Sequence, residues 1–158
     1  MTQEIAVIRI KGLTKIEAGM KETLERTRLR KKYVCVIMKE NPENRSILNK
    51  IRSFVAYGKI DDATLKELIT KRAEPAIGDN SNKKKVDVEK AFKEVKADNY
   101  ESIKPYFRLH PPIGGVKSSK KHYPKGILGE HGEEISKLIK RMLWIVKKTG
   151  KKPTKEYF

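Results

Sequence analysis

The stretch Ile5-Ala-Val-Ile-Arg-Ile-Lys-Gly-Leu-Thr-Lys-Ile-Glu-Ala-Gly-Met-Lys-Glu-Thr-Leu24 decides the fold, because its pattern changes part-way along. Ile5 to Ile10 is a β-branched run that ends at Gly12, which predicts a strand. Thr14-Lys-Ile-Glu17 has the Thr-x-x-Glu form of a capping box, in which each side chain satisfies a free amide at the other end. Ile16, Met20 and Leu24 then recur at helical spacing, so a first helix is expected to about Arg30.

The alternation continues outward. Tyr33-Val-Cys-Val-Ile-Met38 reads as a second strand, and Asn41-Pro42 turns the chain. Ile47, Leu48 and Ile51 predict a short second helix after Arg45-Ser46. Phe54-Val-Ala-Tyr57 reads as a third strand, closed by Gly58. The order predicts an α+β class: a two-layer β-α-β-α-β domain over residues 1–60, with a small sheet and helices on one face. Residues 61–158 read as a helical and irregular C-terminal extension. Asp61-Asp62 open a helix with Leu65, Leu68, Ile69 and Arg72 on one stripe, ended by Pro75 and Gly78. Asp79-Asn-Ser-Asn-Lys-Lys-Lys85 is polar, is expected to be mobile, and suggests an insertion boundary. Val88, Phe92 and Val95 predict a fourth helix. The last helix is expected from Glu133 to Leu143, with Ile135, Leu138, Ile139 and Met142 facing the protein. Gly150 and Pro153 release a basic tail. Sixty residues make a marginal core, so the later helices are expected to add to it.

Charge points to the partner. The net charge is +17, from 37 basic and 20 acidic residues. Residues 102–158 hold 14 basic and 4 acidic groups, and residues 1–101 hold 23 and 16. Such an excess self-repels and calls for a polyanion. Cys35 is the only cysteine, which excludes an internal disulfide; its apolar setting reads as core packing. No apolar run approaches the ~18 residues of a membrane span, and no signal-peptide pattern opens the chain, so a soluble intracellular protein is expected.

The densest candidate is the arm at about 105–126, Tyr106-Phe-Arg-Leu-His-Pro-Pro-Ile-Gly-Gly-Val-Lys-Ser-Ser-Lys-Lys-His-Tyr-Pro-Lys-Gly126. Its Pro and Gly pairs break helical and strand periodicity. Arg108, Lys117, Lys120, Lys121 and Lys125 can reach phosphates; Phe107, His110, His122 and Tyr123 can stack on bases. Phe107 favours packing on the protein, and Tyr123 is balanced between the two roles. Gly114 and Gly115 either shape a loop or let backbone amides approach a phosphate. A second cluster, Arg26, Arg28, Arg30, Lys31 and Lys32, stands at the end of the first helix and the following turn. Arg45, Lys50 and Arg52 could extend that surface. Trp144 is expected to anchor the last helix, and the tail lysines to act non-specifically.

Catalytic signatures are missing. There is no Gly-rich phosphate loop and no His-Glu-x-x-His. His110, His122 and His131 are scattered and read as solvent or RNA contacts. Asp61-Asp62 and Glu133-Glu134 sit at helix starts, where carboxylates favour the macrodipole. No cofactor, metal or small-molecule substrate is expected. RNA is favoured over DNA because the charge is spread over short, differently shaped elements, with no helix-turn-helix or basic zipper. An RNA-processing or RNA-modifying enzyme and a free-standing nucleic-acid compaction protein are the alternatives.

Three segments carry a family resemblance: Asn44-Arg-Ser-Ile-Leu-Asn-Lys-Ile-Arg-Ser-Phe-Val-Ala-Tyr-Gly-Lys-Ile-Asp61, Phe107-Arg-Leu-His-Pro-Pro-Ile-Gly-Gly115 and Ile135-Ser-Lys-Leu-Ile-Lys-Arg-Met142. Together they resemble the large-subunit ribosomal protein family numbered thirty, in its longer archaeal form, whose eukaryotic counterpart is numbered seven. The resemblance covers nearly the whole chain. It implies a three-stranded antiparallel sheet backed by two helices, a relative of the ferredoxin-like arrangement. It also implies a non-catalytic protein of the cytoplasmic ribosome that stabilises folded large-subunit ribosomal RNA near 5S rRNA, beside neighbouring ribosomal proteins. On that basis Arg45, Lys50, Arg52, Arg108, His110, Gly114 and Gly115 become candidate RNA contacts. The chain departs from many relatives in having Ser46 for Gly and Tyr57 for Trp. Ser46 weakens the case for close backbone approach there, while Tyr57 keeps an aromatic ring.

Overall fold

The computed structural model describes residues 3–12, 14–76 and 86–143. The expectations for residues 79–85, for Trp144 and for the tail fall outside them. Strand β1 (Glu4–Arg9) is central and pairs antiparallel on both sides, with β2 (Val34–Lys39) and β3 (Val55–Lys59). Val7 stands opposite Val36 on one side and Tyr57 on the other. Helices α1 (Ala18–Arg26) and α2 (Pro42–Ile51) cover one face, where Leu24, Leu29, Leu48 and Ile51 pack on Ile5, Val7, Val36 and Tyr57. This is the expected three-stranded sheet backed by two helices.

The extension covers the opposite face. Helices α3 (Asp62–Arg72), α4 (Val88–Ala97) and α5 (Ile135–Leu143) pack Leu65, Leu68, Val95, Ile135, Ile139 and Met142 against Ala6, Ile8, Cys35 and Ile37. Residues 5–9 of β1 are therefore all buried. A strand covered on both faces reads as a continuous apolar run, which is why Ile5 to Ile8 shows no apolar–polar alternation. Cys35 lies in this core, and burial pushes its thiol up to about 12.

Two short strands widen the sheet. β4 (Phe107–Arg108) adds antiparallel to β2, and β5 (Gly129–Glu130) adds parallel to β3. The order is β4-β2-β1-β3-β5. The arm thus leaves one sheet edge and returns at the other.

Four local expectations are corrected. The capping box does not form: α1 begins at Ala18, its N-cap Glu17 makes no side-chain cap bond, and Lys15 has φ 57°. Nor does α1 reach Arg30. It stops at Arg26, and Arg28 turns left-handed at φ 64° so that the Leu29 N–H bonds back to the Leu24 carbonyl (2.9 Å) and Leu29 enters the core. That is the helix-closing geometry that glycine usually supplies. Helix α2 starts five residues early, at Pro42, whose fixed φ suits a first helical position. Gly58 lies inside β3 instead of closing it. A Cβ there would stand 2.2 Å from the Gly132 carbonyl oxygen, so the absent side chain admits the single 3-10 turn Gly132–Glu134 and α5.

Candidate nucleic-acid interface

The basic turn after α1 is held from below by a buried arginine. Arg9 is fully buried at the end of β1. Its guanidinium donates to the carbonyls of Lys11 (2.9 Å), Leu29 (2.7 Å) and Gly12 (3.3 Å), while the Tyr33 N–H donates to the Arg9 carbonyl (2.7 Å). Burial lowers its pKa from the usual arginine range. Arg28 and Tyr33 both take positive φ, 64° and 65°, a conformation costly for residues with a Cβ. With the turn tied at Leu29 and Tyr33, Arg26, Arg28, Arg30, Lys31 and Lys32 are all exposed. Arg26 pairs with Glu22 (2.5 Å), Arg28 lies 5.9 Å from the Tyr100 ring, and Lys32 lies 5.1 Å from the Tyr33 ring.

β4 brings the start of the arm to the same edge. Arg108 is opposite Val34, and the Leu109 N–H donates to the Tyr33 carbonyl (3.1 Å). Arg108 and His110 therefore stand exposed beside the basic turn. Arg108 lies 3.9 Å from Glu74 and 5.8 Å from the Tyr106 ring. Partial burial, then the nearby Arg72, lowers the His110 pKa, which favours a neutral ring at pH 7. Phe107 is fully buried, so of its two possible roles it packs.

Beyond His110 the arm is laced to α5. The His110 N–H donates to the Met142 carbonyl (3.2 Å) and the Ile113 N–H to the Arg141 carbonyl (3.3 Å). The Arg141 side chain returns, donating to the Ile113 carbonyl from Nε (3.0 Å) and Nη2 (2.8 Å), and to the Gly115 carbonyl. Gly114 and Gly115 have φ 79° and 73°. A Cβ on Gly115 would meet nothing within 4 Å, so backbone conformation alone, not crowding, favours glycine there.

Lys117, Lys120, Lys121, His122, Tyr123 and Lys125 follow, all exposed. Their loop is closed by Tyr123 N–H to Leu128 (2.8 Å), Gly126 N–H to His122 (2.9 Å) and Ile127 N–H to Ser118 (3.0 Å). The Tyr123 ring leans on His131, with centroids 4.5 Å apart. His131 itself corrects the sequence reading. It is buried, not a solvent or RNA contact; its Nε2 donates to the Ile127 carbonyl (2.5 Å) and its N–H to the Tyr57 carbonyl (2.8 Å). Burial lowers its pKa, outweighing the carbonyl and Glu134. Between this loop and α5 lies a cleft of about 810 Å³.

The candidates therefore fall into groups. Arg28 to Lys32, Arg108 and His110 gather at the β4 edge. The lysines of residues 117–125 approach the β5 edge, where His122 bridges to Leu128. Four strand spacings of ~4.8 Å put those edges roughly 19 Å apart. Lys50 and Arg52 are exposed at the end of α2. Arg45 bonds Glu40 (2.5 Å), which raises the Arg45 pKa. Ser46 is exposed on α2, and Tyr57 is buried in the core. Sequence reasoning missed Arg9 and Arg141, the two arginines that position the others. For Arg9 the signal was present: one charge inside an apolar run.

The comparisons bear on the body and the extension together. The family model described as Ribosomal protein L30p/L7e matches residues 5–55, from β1 into β3. A large ribosomal subunit protein uL30 of Archaeoglobus fulgidus is 40% identical over 149 residues, which cover 87% of this chain and 98% of that protein. The chain belongs to this family. Other uL30 relatives agree. The uL30 of Saccharolobus islandicus is 36% identical over 160 residues, covering 90% of this chain and 100% of its own. That of Methanoregula boonei is 33% identical over 152 residues, covering 87% and 98%. Matches of this length take in most of the extension as well as the body that the L30p/L7e model describes.

Proposed function

We infer that the basic turn and the arm are the surfaces by which this chain, a structural constituent of the large ribosomal subunit, holds folded ribosomal RNA during translation in the cytoplasm. One observation carries the assignment of surfaces. Among the described residues, exposed cations with no carboxylate within ion-pair distance crowd at the basic turn (Arg28, Arg30, Lys31, Lys32) and in the arm (Lys117, Lys120, Lys121, Lys125), while others such as Lys15, Lys21, Lys50, Arg52, Lys66, Lys90, Lys93 and Lys140 are scattered. Arg26, Arg45 and Arg108 do have one. Unpaired cations release no internal partner when they meet phosphate, so their whole charge is available to RNA.

The role is non-catalytic. Asp61 and His131, the groups whose chemistry could suggest otherwise, are engaged in structure: Asp61 caps α3, and His131 is bonded to Ile127. The family resemblance supports a position near 5S rRNA, beside other ribosomal proteins. Salt-washed ribosome fractionation tests the reading: the chain is expected to co-sediment with large subunits. Hydroxyl radicals generated from a probe on the basic turn are expected to cut 5S rRNA or its immediate surroundings. Recovery away from ribosomes would sink the function, and cuts confined to distant RNA would sink only the position.

A further inference from the structure

Among the described residues two large apolar side chains are exposed, Val116 at 39% and Tyr123 at 41%, and both line the cleft between the arm and α5. Single apolar side chains scattered on a surface need no explanation, but two gathered in one concavity do. Ile127 and Leu138, both buried, form apolar lining. Lys117, Lys137, Lys140 and Arg141 supply positive charge. Lys137 is held by Glu134 (2.8 Å), and Arg141 by the carbonyls of Ile113 and Gly115. Lys117 and Lys140 are exposed and have no ion pair among the described residues.

We propose that this cleft takes one unstacked nucleotide of single-stranded RNA, its base against Tyr123 and Val116 and its phosphates at Lys117 and Lys140, an inference that rests on the RNA-binding reading above. The volume, about 810 Å³, lies within the ~300–1,000 Å³ of small-ligand clefts. Splayed bases are recognised by aromatic faces with cations at the backbone, which is the arrangement here. The chain's own tail is a poor occupant, because residues 144–158 carry five lysines and one glutamate. An acidic peptide fits less well than a base. Its carboxylates would meet the lysines but would be repelled by the negative face of the Tyr123 ring.

The test is a titration of the isotope-labelled full chain, read at the amides of Gly115, Lys117 and Gly126. Three probes are compared: pentaadenylate, an abasic ribose-phosphate pentamer of equal charge, and pentaglutamate. Pentaadenylate is expected to shift the cleft amides saturably. Tyr123→Ala is expected to weaken it roughly 5- to 150-fold, the weight of one base–aromatic stack, and Tyr123→Phe, which keeps the ring, to restore it. Equal affinity for the abasic pentamer would overturn the base site. Stronger saturation by pentaglutamate would make the cleft a peptide site and overturn it too. If the unsubstituted chain co-sediments with large subunits yet no probe saturates the cleft, this inference fails alone; if it does not co-sediment, the broader reading fails.

Discussion

Asp61 joins α3 to α5 through one carboxylate. It accepts from the Thr64 N–H (3.1 Å) and hydroxyl (2.8 Å) in α3 and from the Ser136 hydroxyl in α5. Burial alone would raise its pKa, but the bonds from Ser136 and Thr64 prevail and hold it at about 2. The folded pKa lies below the unfolded one, so the ionised group stabilises the fold above about pH 4, and that contribution is lost as pH falls through about 2. Asp61→Asn is expected to lower stability at pH 7 by about 1 kcal/mol, since much of the group faces solvent, and to flatten the acid limb. Urea midpoints at pH 7, 4 and 2.5 read this; parallel wild-type and variant curves would refute it. Arg9 acts differently, because it lies wholly inside. Arg9→Met leaves the Leu29, Lys11 and Gly12 carbonyls without their donor, and a loss of about 2–4 kcal/mol is expected. Amide exchange should also quicken at Leu29 and Tyr33. A variant with unchanged exchange there would show that the basic turn holds itself.

At the scale of elements, the arm is shaped by two kinds of glycine. At Gly126 a Cβ would lie 2.1 Å from the Lys121 carbonyl oxygen, so Gly126→Ala is expected to open the loop that presents Lys120 to Lys125. At Gly115 the surroundings are empty, and only the positive φ is opposed, which costs ~1–2 kcal/mol. Comparing the two variants by thermal melting and by RNA affinity should show the larger loss at Gly126; the reverse order would mean that backbone torsion governs the arm. Much of this level was legible in the sequence. Apolar spacing marks each α-helix among the described residues, and it picks out the core-facing Ile135, Leu138, Ile139 and Met142 of α5. What spacing could not show was where elements end. Leu29 and Gly58 are decided by contacts with residues distant in the chain, and local pattern carries no trace of them. The arm read as irregular for a sound reason, its Pro and Gly pairs. Yet several of its backbone groups bond to α5 or within the arm, which no local rule predicts.

For the molecule as a whole, the separation of the two basic surfaces has an energetic meaning. Roughly 19 Å exceeds the ~8 Å Debye length at physiological salt, so the β4-edge and β5-edge cations act as independent grips. Replacing Lys117, Lys120, Lys121 and Lys125 with Ala is expected to weaken RNA binding and to lower its salt slope by roughly 3 to 4. Adding Arg30→Ala, Lys31→Ala and Lys32→Ala should then cost the same free energy as in the unsubstituted chain, within about 0.5 kcal/mol. Strong non-additivity in filter binding would place all seven cations on one RNA contact. The two clusters were legible as charges, but the pairing that moves Arg108 and His110 from the arm to the basic turn was not, because strand order is a tertiary fact.

The covering of the second sheet face by late elements has a consequence for synthesis. Ala6, Ile8, Cys35 and Ile37 emerge from a translating ribosome long before Ile135, Ile139 and Met142, the α5 side chains that pack over the same face. At about 5–20 residues per second, the span from residue 60 to residue 143 takes roughly 4 to 17 s. For that interval the nascent chain carries an uncovered apolar sheet, shielded only as α3 and α4 arrive. A product cut short before α5 would leave Ala6, Ile8, Cys35 and Ile37 without that cover, and exposed apolar surface of this kind makes an incomplete chain prone to aggregate.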